Sequence, residues 1–142
     1  MSNNIILLTI FVPGEPKPQG SKDQFGRESC KLLPAWRNLI SILAKQEMAE
    51  MPPLDEALEV AITFIFPRPK NHFGTGKKAD EPKDSAPTYK ISRPDVDKLI
   101  RAVLDAGTGI IWVDDSNVVS VQADKRYDSP PGAIIMVRRL TE

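Results

Sequence analysis

Residues 92 to 101 read Ser92-Arg93-Pro94-Asp95-Val96-Asp97-Lys98-Leu99-Ile100-Arg101, and a shorter echo follows at Trp112-Val113-Asp114-Asp115. Four carboxylates thus lie close together in sequence, beside an apolar run and a set of basic residues. Asp95 and Asp97 stand two apart, so a helix would point them to nearly opposite sides, whereas extended chain gives them a common face. Pro94 pushes Arg93 into extended conformation and is itself tolerated in a first helical turn. Projected at about 100° per residue, Asp97, Lys98, Arg101 and Asp105 fall in one arc, and Leu99, Ile100, Ala102, Val103, Leu104 and Ala106 fill the rest. The pattern predicts a helix from about Asp97 to Ala106, stopped by Gly107. Asp95 then lies just before it, free to turn its carboxylate toward that of Asp97.

Two readings of these acids compete. In the plain structural one, Ser92 and Asp95 have the spacing of a capping box, and acids in a first turn complement the helix dipole. Asp97 with Arg101, and Arg101 with Asp105, become i,i+4 ion pairs, and Asp114-Asp115-Ser116-Asn117 a turn. In the chemical one, the acids flank two apolar elements that pack together and form a magnesium site aimed at phosphate. Magnesium takes oxygen ligands and is usually held by one or two carboxylates plus substrate phosphate. His72 and Cys30 are each the only residue of their kind, so no nitrogen or sulfur set competes for a softer metal.

The segment Arg93-Pro-Asp-Val-Asp-Lys-Leu-Ile-Arg-Ala-Val-Leu-Asp-Ala-Gly-Thr-Gly, followed by Ile-Trp-Val-Asp-Asp-Ser-Asn-Val-Val, resembles the RusA family of Holliday junction resolvases. The similarity runs from about Pro67 to Tyr127, and Val12-Pro-Gly-Glu-Pro-Lys-Pro-Gln-Gly-Ser-Lys resembles the family's N-terminal segment. The resemblance implies a small homodimeric endonuclease of a type often borne by phages, which nicks four-way DNA junctions symmetrically with Mg2+, or Mn2+ as a substitute. It places the catalytic, metal-holding acids on Asp95, Asp97 and Asp115, with Asp114 the alternative to Asp115. Two positions depart from the family pattern: its usual Asn is Lys98 here, and its catalytic Lys falls on Arg101. Arginine keeps the charge and can grip phosphate with two donors, but it cannot share a proton.

Outward from this centre the chain is a single domain over residues 1–142, with formal net charge zero. Neutrality alone argues against a nucleic-acid binder, yet the charge is segregated. The stretch from Pro67 to Ser92 is aperiodic and rich in Pro, Gly, Ser and Lys. With Arg93 it carries Arg68, Lys70, Lys77, Lys78, Lys83 and Lys90 against three acids, Asp80, Glu81 and Asp84. Loops of such length are usually functional or disordered; this one is expected to be mobile, to track phosphate and to order on DNA, with Tyr89 and His72 as stacking groups. A solvated linker is the plain alternative. Pro13 to Gly20 reads as a stiff loop, either a connector or a phosphate-touching rim that presents Lys17 and Lys22.

The remaining elements follow from periodicity. Ile5 to Val12 reads as a strand buried on both faces or nearly so, Pro34 to Glu50 as a helix and Leu58 to Phe66 as an alternating strand. Ile110 to Val113 reads as a short strand that delivers Asp114 and Asp115 to opposite faces. Val118 to Tyr127 and Ala133 to Leu140 read as a hairpin, with Lys125 a further candidate phosphate contact. The expected fold is α+β, one mixed sheet of about four strands with helices on one face, assembled as a homodimer. A lone cysteine excludes an internal disulfide, and no stretch suits a membrane span or signal, so a cytoplasmic location is expected.

Functionally, the expectation is a magnesium-dependent, structure-selective endonuclease acting on branched DNA without a small-molecule cofactor. Asp95, Asp97 and Asp115 hold metal and Arg101 clamps the scissile phosphate. Lys17, Lys22, Arg68, Lys70, Lys77, Lys78, Lys90, Arg93, Lys98 and Lys125 contact DNA. A non-catalytic branched-DNA-binding module is the alternative. A small-nucleotide phosphotransferase is disfavoured, because neither G-x-x-x-x-G-K nor G-x-G-x-x-G occurs.

Overall fold

A computed structural model describes residues 5–20, 22–27 and 29–141. Met1 to Asn4 and Glu142, the ends of the expected domain, and Ser21 of the N-terminal motif lie outside the described residues. The elements run β1 (Ile5–Pro13), α1 (Leu33–Met48), β2 (Leu58–Phe66), α2 (Val96–Gly107), β3 (Val118–Tyr127) and β4 (Gly132–Arg139). Short 3-10 turns occupy Lys70–His72, Gly76–Lys78 and Asp115–Asn117. Four strands form one mixed sheet in the order β1-β4-β2-β3. β4 is antiparallel to both β1 and β2, and β3 runs parallel to β2. The α+β class and the mixed four-stranded sheet thus match the expectation.

β2 is central because its side chains alternate cleanly. Leu58, Val60, Ile62, Phe64 and Phe66 are buried, and the residues between them are half-covered. That face joins Leu8, Ile10 and Val12 of β1 and Ala133, Ile135 and Val137 of β4 in the core. α1 contributes Leu33, Trp36, Ile40, Ala44 and Met48, and α2 contributes Leu99, Ala102, Val103 and Ala106. The small residues of α2 allow close approach to α1, where the Ser41 hydroxyl donates to the Ala106 carbonyl at 3.0 Å.

Three expectations require correction. β1 is not buried on both faces: it is an edge strand with Phe11 exposed on the side away from the helices. β3 and β4 do not form a hairpin, because β2 lies between them. Period-2 alternation identifies a strand but not its neighbour, and the connection Asp128 to Pro131 is long enough to cross two strand spacings of about 5 Å each. On the way the Asp128 amide donates to the Phe66 carbonyl at 3.1 Å, closing over the end of β2.

The third concerns Ile110 to Val113, which is a turn and not a strand. Neighbouring side chains of a strand face opposite ways, yet Ile111 and Trp112 are both buried, at 1% and 0% exposure. The backbone curls to achieve this. The amides of Ile110 and Ile111 donate to the Gly107 carbonyl at 3.1 and 2.8 Å, and that of Gly109 to the Trp112 carbonyl at 2.7 Å. The Trp112 indole then lies against the end of α2 and donates to the Thr108 hydroxyl at 3.1 Å.

Gly107 is the seat of that indole: a Cβ there would come 2.6 Å from Trp112 Cζ2 and 2.8 Å from Cη2. A fully buried ring cannot yield as a side-chain tip can. Gly107→Ala should therefore destabilise the protein by about 1–3 kcal/mol, read as a lower denaturant midpoint with an unchanged slope.

Candidate active site

α2 begins where the sequence places it. Asp95 is the boundary residue, in extended conformation at φ −71°, ψ 141°, and Val96 opens the helix. The capping-box alternative is not realised, since no side-chain bond caps this end. Neither expected i,i+4 ion pair forms. Asp105 pairs instead with Arg37 of α1 at 2.7 Å, which leaves Asp97 and Arg101 without an ion pair among the described residues.

Three hollows surround the exposed face of α2. One, of about 240 Å³, is lined by Asp97, Ile100, Arg101, Leu104, Asp105 and Asp115. A second, about 320 Å³, gathers Lys17, Cys30, Arg93, Asp95 and Lys98 between the prolines at 16, 18 and 94. The third, about 350 Å³, is lined by Lys22, Arg37 and Arg101 together with Gln19 and Gly20. The N-terminal loop is therefore a wall of the site. Its Gln19 amide donates to the Lys98 carbonyl at 3.0 Å. Gly20, at φ +99°, leaves room for Arg101, whose Nη1 a Cβ would strike. Only glycine meets both demands without strain.

Asp114 and Asp115 separate, though not by strand alternation. Asp114 caps the 3-10 turn, accepting from the Ser116 amide at 3.2 Å, while its own amide donates to Asn117 Oδ1 at 3.0 Å. Hydrogen bonds from the Ser116 hydroxyl and amide hold its carboxyl below the usual carboxylate range. The Asp115 amide also donates to the Asp114 carboxylate, but among the described residues the Asp115 side chain stays outside this network and lines the hollow of Asp97 and Arg101. Asp95 faces the neighbouring hollow, its carboxylate 3.8 Å from Lys98 Nζ. Among the described residues no three acidic, histidine or cysteine side chains converge closely enough to hold a metal ion. The hollow offers the carboxylates of Asp97 and Asp115, beside an Asp105 held by Arg37, and no nitrogen or sulfur ligand; magnesium uses such oxygen donors when water and phosphate supply the rest.

The expected DNA-contacting cations of the long loop divide in two. Lys70, Lys77 and Lys78 are exposed on the 3-10 turns of the long loop. Arg68 and Lys90 instead fasten that loop to the sheet. Arg68 donates to the Pro87 carbonyl at 2.7 Å, Lys90 Nζ to the Ser92 hydroxyl at 2.9 Å, and both lie over the Tyr127 ring. His72 packs edge-on against the same ring at 4.8 Å, whereas Tyr89 is exposed beneath Arg126. The sequence reading missed Arg37, because its pairing with Asp105 depends on how α1 and α2 pack.

The family model for endodeoxyribonuclease RusA matches residues 13–138 of the chain. The chain belongs to the RusA endodeoxyribonuclease family. It is therefore a nuclease of the Holliday junction resolvase class. It is also 32% identical over 106 residues to the uncharacterized protein YqaN of Bacillus subtilis strain 168, covering 75% of this chain and 73% of that one.

The divergence of the two adjacent acids gives a direct test. Asp115→Asn should cut junction cleavage by orders of magnitude. Asp114→Asn should leave it near wild type, because an amide oxygen still accepts from Ser116. Single-turnover cleavage of a labelled four-way junction measures both.

Proposed function

We propose that this protein resolves four-way DNA junctions by paired, symmetric, magnesium-dependent hydrolysis of phosphodiester bonds. The observation that carries the proposal is the shared hollow of Asp97, Asp115 and Arg101, in which two carboxylates without ion-pair partners among the described residues face a guanidinium. Asp97 and Asp115 would hold the metal, and Asp95, in the neighbouring hollow and capping nothing with its side chain, would join them by turning its carboxylate toward Asp97. When bound, magnesium polarises the phosphoryl oxygen and makes its water nucleophilic at neutral pH.

The chain's own residues do the rest. Arg101, propped over Gly20, binds two non-bridging oxygens of the scissile phosphate through its planar fork. It supplies charge and orientation without transferring a proton, so the leaving oxygen takes its proton from solvent. Lys17, Lys22, Arg93 and Lys98 border the hollows on either side and neutralise neighbouring phosphates. Lys70, Lys77 and Lys78 reach further along the arms. With no net charge on the whole chain, affinity depends on this local surplus and should fall steeply with salt.

Clustered carboxylates repel phosphate until a cation sits between them. Asp97→Asn keeps the shape and removes one negative charge, so junction affinity should stay level or rise while magnesium-dependent nicking collapses. Loss of about 4 kcal/mol of transition-state stabilisation already slows the step about a thousandfold. Calorimetric titration with Mg2+ or Mn2+ should show weakened metal binding in the same variant, independently of activity. If binding and cleavage fall together, Asp97 is a structural residue; if wild type binds but never cleaves, the protein is a binding module.

Paired nicks on a substrate with two equivalent strands require two equivalent sites. We infer a homodimer, supported by the uncovered apolar sheet face around Phe11 and Ile134, which pair across β1 and β4. Sedimentation at micromolar protein should return twice the monomer mass, and a monomer mass would refute the inference.

A further inference from the structure

Lys125 lies opposite Phe64 of β2 and so projects from the helix-bearing face of the sheet. Its ammonium donates to two backbone carbonyls, those of Ser92 and Pro94, each at 2.8 Å. Its own carbonyl accepts from the Lys90 amide at 3.0 Å. All three bonds fall on the strip that leads into Asp95, whose carbonyl accepts the helical bond from the Leu99 amide at 3.2 Å.

We propose that Lys125 is a positioning residue for the cleavage reaction, fixing the start of α2 and with it the directions of Asp95 and Asp97, and that it does not contact DNA. An ammonium has three donors and no acceptor. Two of them are committed here at charge-assisted distance to carbonyls that have no other hydrogen bond among the described residues. Moving Lys125 to a phosphate would strip both carbonyls of their partner and free the strip. Lys90 completes the clasp from the other side, its ammonium on the Ser92 hydroxyl. The acids need this hold because no side chain caps α2 itself. Its first turn is aimed by what grips the residues before it. Errors of about 1 Å in such an aim can cost a hundredfold in rate.

This inference rests on the nuclease reading above, and its test separates the two. The full chain is prepared as wild type, Lys125→Met and Lys125→Arg, with Lys77→Met as a phosphate-contact control. Each is measured for single-turnover cleavage with magnesium, for junction affinity over a salt series, and for amide exchange at Leu99 and at Ile62 in the middle of β2. Lys125→Met should lose about a hundredfold in cleavage rate with affinity and salt slope unchanged, and exchange at Leu99 should quicken while Ile62 stays protected. Lys125→Arg should recover much of both, since a guanidinium can also donate to two carbonyls. Lys77→Met should instead lower affinity and flatten the salt slope by about one unit. If Lys125→Met behaves like Lys77→Met, Lys125 is a phosphate contact and the proposal is wrong. Unchanged protection at Leu99, or equal loss at Leu99 and Ile62, also overturns it. If wild type itself does not cleave, the nuclease reading fails, and local loss of protection at Leu99 alone still upholds the positioning role.

Discussion

Parallel pairing of β2 with β3 is the constraint from which the rest follows. Parallel neighbours cannot be joined by a tight turn, so the chain leaving Phe66 must travel back along the sheet before Val118 can begin. That obligatory return, residues 67 to 117, contains the long basic loop, α2 and the turn with Asp114 and Asp115. Candidate chemistry and fold topology are therefore one problem. α2 must pack its apolar side on the sheet to make the crossover, and this turns Asp97 and Arg101 outward to the same hollow as Asp115.

Within that return and on the adjoining β3 the protein separates cations that build from cations that remain available. Arg68, Lys90 and Lys125 are spent on carbonyls, a hydroxyl and the faces of aromatic rings. Lys70, Lys77 and Lys78 face water. A residue count treats both groups alike, which is why a neutral chain can still present a locally basic surface.

The same division explains what the sequence could reveal. α2 was legible because its charges fall in one arc and its apolar residues in the other, a pattern with no competing reading. The alternation of β2 was equally plain. Strand adjacency was not: nothing in Asp128 to Pro131 says whether the chain turns back beside β3 or steps across β2. The turn at Ile110 to Val113 was misread because four apolar residues in a row suit a short strand, and only the double burial of Ile111 and Trp112 requires a curl. Lys125 and Arg37 took their roles from partners far off in sequence, at Ser92 and Pro94 and at Asp105, and no local pattern encodes those meetings.

The contact between the long loop and β3 has one more effect. β3 is an outer strand, and bare outer strands invite pairing with other chains. Part of its rim is occupied: Tyr89 bridges to Arg126, the Lys90 amide reaches Lys125, and the Tyr127 amide donates to the Thr88 carbonyl at 2.9 Å. The loop that carries the exposed lysines thus also shields the sheet from aggregation. Excising it to probe DNA contacts would remove both at once, whereas neutralising single lysines at 70, 77 and 78 leaves the shield in place.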